Sequence, residues 1–469
     1  MALISCESRA RVALPAVARA AAAGCLALLL SACGGGGGDG GAGSPGGQSQ
    51  SCSATDQKRW LADYMDEWYF WYRISPRPEP GPYADADAYL RALLYTGSDA
   101  RFPADRYSGS QTTASFNRLF GDGETLGYGM SVAGLEVLGD PSQPLIVRLV
   151  EPQSPAATQG VQRGDRVVSI NGRPAADVIA ANDFSALSAN EVGETLSLQL
   201  RRDGIERTVV LRSAVFALTP VSGTAVFRTA GGRQMGYLSV KDMITQSLQP
   251  SDAAFAQFRA ASVADLVLDL RYNGGGLVSA AATLASYAAG QRGAGQTFAN
   301  LLYNDKRAAA NNQRYAFEDK GNALGLPRVY VLMGRRTCSA SEQVINGLRG
   351  IGIEVVAIGE ATCGKPVGFL PTANCGRTWS IVNFESVNQR NEGRYFDGFA
   401  PVCAVAEDFN VEQAGAADPL LRAARHHADT GTCPAASVSM RATAARRGSD
   451  GLRARPAFVG EEGAGQVLR

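Results

Sequence analysis

The chain has 469 residues, with 45 Lys and Arg against 44 Asp and Glu, 45% apolar residues and only two histidines. That length fits two or three domains, a formal charge of +1 leaves no basic face for nucleic acid, and the apolar and aromatic content excludes wholesale disorder. The histidines, His426 and His427, are neighbours near the C-terminal end, which argues against a histidine metal site or a Ser-His-Asp triad. Only five of the cations are lysines, at 58, 241, 306, 320 and 365.

Residues 1–33 read as an export signal. Arg9 and Arg11 precede an apolar run at 20–30, which is shorter than the ~20 residues a membrane-spanning helix needs. Leu30-Ser31-Ala32 before Cys33 resembles a bacterial lipobox, which implies lipidation of Cys33. Residues 34–53 form a Gly/Ser-rich tether without side chains to bury. The expectation is a body lipid-anchored in a bacterial cell envelope and facing the periplasm. Gly34 in place of a retention aspartate favours the outer membrane. Beyond Cys33, six cysteines remain, at 52, 338, 363, 375, 403 and 433. An even number in an oxidising compartment points to disulfides, and no CxxC pair points to zinc. Cys338–Cys363 and Cys375–Cys403 are the expected pairs.

At 57–72, Trp60, Leu61, Tyr64, Met65, Trp68 and Trp71 recur at helical spacing, an aromatic stripe read as packing. A second helix is expected at 85–95, giving a small helical N-terminal region over 54–110. From 125 to 212 the texture changes to short β-branched runs broken by Gly, Pro and Asp. Within it, LGYGMSV (126–132) and the stretch 144–175, with SPAATQGVQRGDRVVSINGR, resemble a PDZ domain, set at 111–214. The resemblance puts a carboxylate-binding loop at Gly127, Tyr128, Gly129 and Met130. Glycines there let successive N–H groups face a terminal carboxylate while the peptide adds as a strand. The region 215–433 alternates strands (235–240, 265–270, 328–334, 354–359) with helices (251–261, 341–350), an α/β layered pattern. Residues 434–469 lack periodicity and read as a disordered tail.

Two loops in this last region carry chemistry. LDLRYNGGGL (268–277) runs from a buried strand into three glycines. It has neither GxGxxG nor GK[ST], so a nucleotide site fails, but such a loop can aim N–H groups at an oxyanion. GRRTCSASE (334–342) places Ser339 and Ser341 at a helix start, where a serine serves as N-cap or as nucleophile. CGKPVGF (363–369) contains one of the rare lysines. Arginine cannot act as a base, whereas burial can lower a lysine pKa into range.

The order PDZ, DLR-x-N-x-GG, S-A-S-E and GK resembles the C-terminal processing (tail-specific) peptidases, in a lipoprotein branch, over about 54–412. The resemblance implies an α+β multidomain chain with a layered, crotonase-like peptidase core. It implies Ser339 as nucleophile, Lys365 as general base and the N–H groups of Gly275 and Ala340 as oxyanion hole, with Glu342 helping to orient the lysine. No cofactor and no metal are expected, and the partner is a protein or peptide recognised through its C-terminus. Three departures stand out. The Ser339 to Lys365 spacing is one residue longer than in commoner members, assigned to the turn at 350–352. Phe369 stands where several members carry Gln. Cys338 replaces the Ala before the nucleophile, and a Cys338–Cys363 bridge would staple the dyad. The alternative is an inactive peptide-binding envelope lipoprotein. A Ser-His-Asp esterase would need a GxSxG elbow, and Ser339 lies in CSASE.

Overall fold

The computed structural model describes residues 51–133 and 144–435. The expected signal peptide with Cys33, most of the tether and nearly all of the tail lie outside the described residues. Among the described residues, no helix is long and apolar enough to cross a membrane.

Six strands build the central sheet in the order Val221–Arg228, Gln234–Val240, Asp265–Asp269, Arg328–Met333, Glu354–Gly359 and Cys403–Ala404. The first pair is antiparallel and the others are parallel. Strands such as DLVLD and RVYVLM are apolar at consecutive positions because both faces of a parallel sheet are covered. Leu266, Leu268, Val329, Val331 and Ala357 join one buried cluster with Phe255, Leu284 and Val344. These three belong to the helices Leu248–Ala260, Val278–Ala289 and Ala340–Gly350. Val267, Tyr330, Leu332, Val356 and Ile358 join another with Leu420, Leu421 and Ala424 of Pro419–Thr430. Both histidines lie on that last helix, with His427 against Tyr330.

The expected helix at 251–261 begins three residues earlier, at Leu248. Pro250 falls in its first turn, where the missing N–H has no intrahelical partner to lose. Pattern reading did not give the four-stranded antiparallel sheet Gln313–Ala316, Thr297–Tyr303, Phe384–Val387 and Val367–Gly368. Three of its four strands have four residues or fewer, too short for a periodic pattern to show.

The N-terminal helix, Ala54–Trp68, buries Trp60, Leu61, Tyr64, Met65 and Trp68. It stops short of 72 because the chain turns extended at Tyr69 and Phe70 N–H donates to Val382 O at 2.8 Å. The aromatic stripe packs on the peptidase body, with Trp60 and Trp379 ring centroids 5.9 Å apart. Gly109–Thr112 pairs with Arg377–Ser380, and Phe116 and Phe120 bury in the same large cluster. Residues 109–120 therefore pack with the peptidase body, beyond the expected end of the helical region at 110.

The PDZ fold has its own core, including Tyr128, Val147, Ile170, Leu198 and Leu211. Its sheet runs Met130–Ala133, Ile146–Val150, Arg166–Ile170, Thr195–Arg202 and Ile205–Arg212, with Arg173–Pro174 beside Arg166–Ile170. Asn171 and Gly172 turn that hairpin with φ of 50° and 79°, the geometry an Asn-Gly turn favours. The ribbon Glu124–Gly127 with Ala214–Ala217 carries the chain in and out.

Three disulfides close the fold, Cys52–Cys375, Cys338–Cys363 and Cys403–Cys433. The expected Cys375–Cys403 pair is corrected. Each of these cysteines has another partner within bridging reach, Cα–Cα 5.5 Å for Cys52–Cys375 and 5.4 Å for Cys403–Cys433. Cys52 and Cys433 lie near the two ends of the described residues, where spacing along the chain gives no hint of proximity.

Candidate active site

Ser339 stands between the strand Arg328–Met333 and the helix Ala340–Gly350, with φ 61° and ψ −117°. A residue with a Cβ adopts this region at a cost of about 1–3 kcal/mol, which the surroundings must offset. They hold it by its N–H, which donates to Glu342 Oε2 at 2.8 Å, and by its carbonyl, which accepts from Gln343 N–H at 3.0 Å. Ser339 is fully buried, and its Oγ makes no hydrogen bond among the described residues. Ser341, the other serine of the motif, instead donates through Oγ to Asn273 O at 3.0 Å.

Glu342 does more than hold the serine. Its Oε1 accepts from Thr362 Oγ1 (2.6 Å) and Gly364 N–H (2.9 Å), and its Oε2 also accepts from Lys365 N–H (2.8 Å). One carboxylate thus ties the backbone of Ser339 to that of Lys365. Burial pushes the Glu342 carboxyl up, and these four hydrogen bonds pull against that rise. The two segments are joined again by Cys363 N–H to Thr337 O (3.1 Å) and by the Cys338–Cys363 bridge. The donor atoms of Cys338, Cys363 and Glu342 cluster, but the two sulfurs are bonded to each other and offer no thiolate to a metal.

Lys365 is buried behind a segment of the N-terminal region. Arg106 Nη2 donates to Cys363 O (3.1 Å) and Tyr107 OH to Gly364 O (2.6 Å). Gly364 has φ +81°, and a Cβ there would lie 2.1 Å from Phe396 O, so only glycine fits the turn before the lysine. Burial pushes the Lys365 amine down to about 8, with the charges of Asp105 and then Glu342 pulling the other way. The Lys365 Nζ lies 4.6 Å from the Phe369 ring centroid and 5.8 Å from that of Tyr107.

The glycine loop follows the buried strand Asp265–Asp269. Arg271 anchors its start, paired with Asp418 (2.7 Å) and Asp269 (2.9 Å). Gly275 and Gly276 take φ of +108° and +132°, and a Cβ on Gly275 would sit 2.9 Å from Ser339 Cβ and 3.0 Å from Ala340 N. The loop therefore passes directly over the helix start. Here one expectation meets a complication. Gly275 N–H already donates to Asn273 Oδ1 at 2.8 Å, while Asn273 Nδ2 donates to Val240 O at 2.9 Å. An Asn two residues before a glycine closes this local ring readily. An oxyanion at this amide would have to displace that bond.

In the PDZ fold, Gly127 ends the ribbon strand opposite Ala214, Tyr128 is buried, and Gly129 O accepts from Glu151 N–H at 2.8 Å. Met130 opens the strand Met130–Ala133, which is the edge of its sheet. The anticipated loop thus leads straight into an edge strand. Asp105, Tyr107, Thr362 and Asn273 were not singled out from the sequence. Asn273 lies inside the DLRYN motif and could have been read as a turn residue. Nothing local marks the other three.

Family models match three segments, the peptidase S41 N-terminal domain at 56–109, a PDZ domain at 146–202 and peptidase family S41 at 234–374. A chloroplastic C-terminal processing peptidase of Tetradesmus obliquus is 28% identical over 250 residues, 50% of each chain. A carboxyl-terminal-processing protease of Picosynechococcus sp. is 26% identical over 243 residues, 50% of this chain and 54% of that one. The matched stretch is about half the length of these curated relatives. Among solved structures, a Bacteroides fragilis NCTC 9343 protein assigned to the S41 proteases superposes with a TM-score of 0.63 at 26% identity, over 80% of this chain and 97% of that one. The chain belongs to peptidase family S41, with the family's N-terminal domain and a PDZ domain ahead of the peptidase core.

Proposed function

We propose that the protein is a serine endopeptidase of the tail-specific type, with Ser339 as nucleophile and Lys365 as general base. The observation that carries this reading is the Glu342 carboxylate, which binds the backbone N–H of both residues at 2.8 Å beside a lysine whose amine burial lowers to about 8. Neutral Lys365 takes the Ser339 Oγ proton, and the oxygen attacks a peptide carbonyl. Ala340 N–H, at the first turn of a helix, stabilises the oxyanion, joined by Gly275 N–H once substrate displaces Asn273 Oδ1. The lysinium then protonates the leaving amine, and water activated by the same lysine releases the acyl-enzyme. The edge strand after the 127–130 loop receives the substrate's C-terminal residues by strand addition. Lipidated Cys33 holds the protein at the envelope, facing the periplasm.

The test uses soluble protein starting after Cys33 and an unfolded substrate ending in small apolar residues, with products read by mass spectrometry. Wild type cleaves at pH 8, and Ser339→Ala and Lys365→Ala do not. Equal cleavage by all three overturns the dyad. Binding without cleavage by any supports the inactive peptide-binding protein instead. Membrane fractionation of the full chain against Cys33→Ala tests the anchor.

A further inference from the structure

The lysine pocket contains a feature that proton transfer alone does not require. Two aromatic rings from distant parts of the chain face the same amine. Phe369, four residues beyond Lys365, presents its ring centroid 4.6 Å from Nζ, and Tyr107 of the N-terminal region presents its own at 5.8 Å. Both lie within the ~6 Å over which a cation is drawn to a ring face. Neither ring is there by chance of surface packing. Phe369 is fully buried within the main cluster, and Tyr107 is fixed through its hydroxyl on Gly364 O at 2.6 Å.

We propose that Phe369 and Tyr107 are positioning residues for the base, whose ring faces hold the ammonium that Lys365 becomes on taking the Ser339 proton. This rests on Lys365 being the base. A buried amine needs two opposed things. It must be neutral enough to accept a proton, and the cation it forms must not be so penalised that transfer stalls. Apolar rings serve both, because they exclude water from the neutral amine yet attract its protonated form through their quadrupole. A hydrogen-bonding side chain at 369 would hold the amine by donor and acceptor, and a ring holds it by its face. Charges acting on the amine include the Asp105 carboxylate on the N-terminal segment and Glu342 on the nucleophile helix, beside the phenol of Tyr107 itself. The Arg106 guanidinium donates to the carbonyls of Cys363 and Phe396 and also lies 5.3 Å from the Tyr107 ring centroid, so Tyr107 is shared between two cations and Phe369 is the principal ring.

The experiment titrates the amine directly, so that its outcome does not depend on turnover. Lysine labelled with 13C at Cε and 15N at Nζ is incorporated into the Ser339→Ala protein. With only five lysines in the chain, Lys365 is assigned by its loss in Lys365→Arg. Phe369→Leu keeps the site apolar but removes the ring face, and the lysine midpoint falls by roughly 0.5–1 pH unit. Phe369→Trp restores it. In the otherwise wild-type enzyme the rising limb of kcat moves by the same amount. A midpoint unchanged or raised in Phe369→Leu overturns the proposal, since packing or water exclusion alone would give those results. Should Phe369→Leu fail to fold, Tyr107→Leu carries the same readout with a smaller fall. Failure of the dyad reading looks different: hydrolysis persists in Lys365→Arg, whatever the amine titration shows.

Discussion

Two lysines in this protein are equally buried and behave in opposite ways. Lys241, at the end of the strand Gln234–Val240, is 8% exposed, and Lys365 is 7% exposed. Burial pulls both amines down, but the charges of Asp242 and Glu151 outweigh it at Lys241 and hold that amine well above the ordinary lysine range. Nζ of Lys241 touches both carboxylates, with Glu151 at 2.6 Å, and Glu151 belongs to the PDZ fold. At Lys365 burial outweighs the charges of Asp105 and Glu342, and two aromatic rings lie close to the amine. Burial therefore does not make a base. What decides is whether the neighbouring carboxylate charges outweigh burial, as they do at the PDZ junction and do not at the site.

Replacing each lysine by methionine separates the two most sharply. Lys365→Met lowers kcat/KM by about 10²–10⁴-fold, the usual worth of a general base. Its stability moves the other way. With a folded pKa of about 8 against 10.5 unfolded, the unfolded chain binds more protons between those values, so wild-type stability rises with pH across that window and the full penalty stands below it. Lys365→Met is thus more stable than wild type at pH 7, on the order of 3 kcal/mol, and the difference closes toward pH 10.5. Lys241→Met does the reverse, losing about 3–5 kcal/mol because Glu151 and Asp242 are left without their cation. Denaturant unfolding of both variants at pH 7 and pH 10 checks the pair of signs, and a destabilised Lys365→Met would mean the amine is charged and satisfied.

The same pair marks the limit of the sequence. Rarity among the cations points to Lys241 as readily as to Lys365, and only the GK turn beside SASE separates them. Motifs that act locally were legible: the strand-to-helix turn at Ser339, the Asn171-Gly172 hairpin, the apolar strands and the PDZ loop before its edge strand. What escaped depends on contacts distant in sequence. Asp105 and Tyr107 come to the lysine from some 260 residues away along the chain, and Cys375 is bridged to a cysteine 323 positions distant. The sequence points to Glu342 as a partner of the lysine, and the structure adds hydrogen bonds from the N–H groups of Ser339, Gly364 and Lys365 and from the Thr362 hydroxyl. Nothing in the spacing of S-A-S-E distinguishes those two roles.

That difference can be sharpened at Glu342. In Glu342→Gln one oxygen remains to accept, and the new amide donors face N–H groups that are themselves donors. Each group left unsatisfied costs about 1–3 kcal/mol. The strained Ser339 backbone loses its anchor, so kcat falls while KM changes little, because Glu342 lies behind the serine and not along the substrate. Steady-state kinetics with a thermal melt on the same preparation read both effects. A loss confined to KM would place Glu342 at the substrate instead.

The smallest expected effect tests whether the charge of Asp105 tunes the lysine. Asp105 is the leading charge that raises the Lys365 amine against burial. Its carboxylate accepts from Tyr107 N–H (2.8 Å), Ser108 N–H (3.1 Å), Ser108 Oγ (2.6 Å) and Tyr69 OH (2.7 Å). Asp105→Asn keeps an oxygen for the two amides, and both hydroxyls can reverse to accept from its new NH2, so the turn over the lysine survives. What is lost is one negative charge near the ammonium, which disfavours the protonated amine and lowers its pKa. A fall of about half a unit from about 8 takes the neutral fraction at pH 7 from about one tenth to about one quarter. The kcat/KM at pH 7 accordingly rises about 2.5-fold while the alkaline plateau does not. That gain at neutral pH separates a charge acting on the base from a residue that only holds the turn, since loss of the turn lowers the whole profile without moving its midpoint.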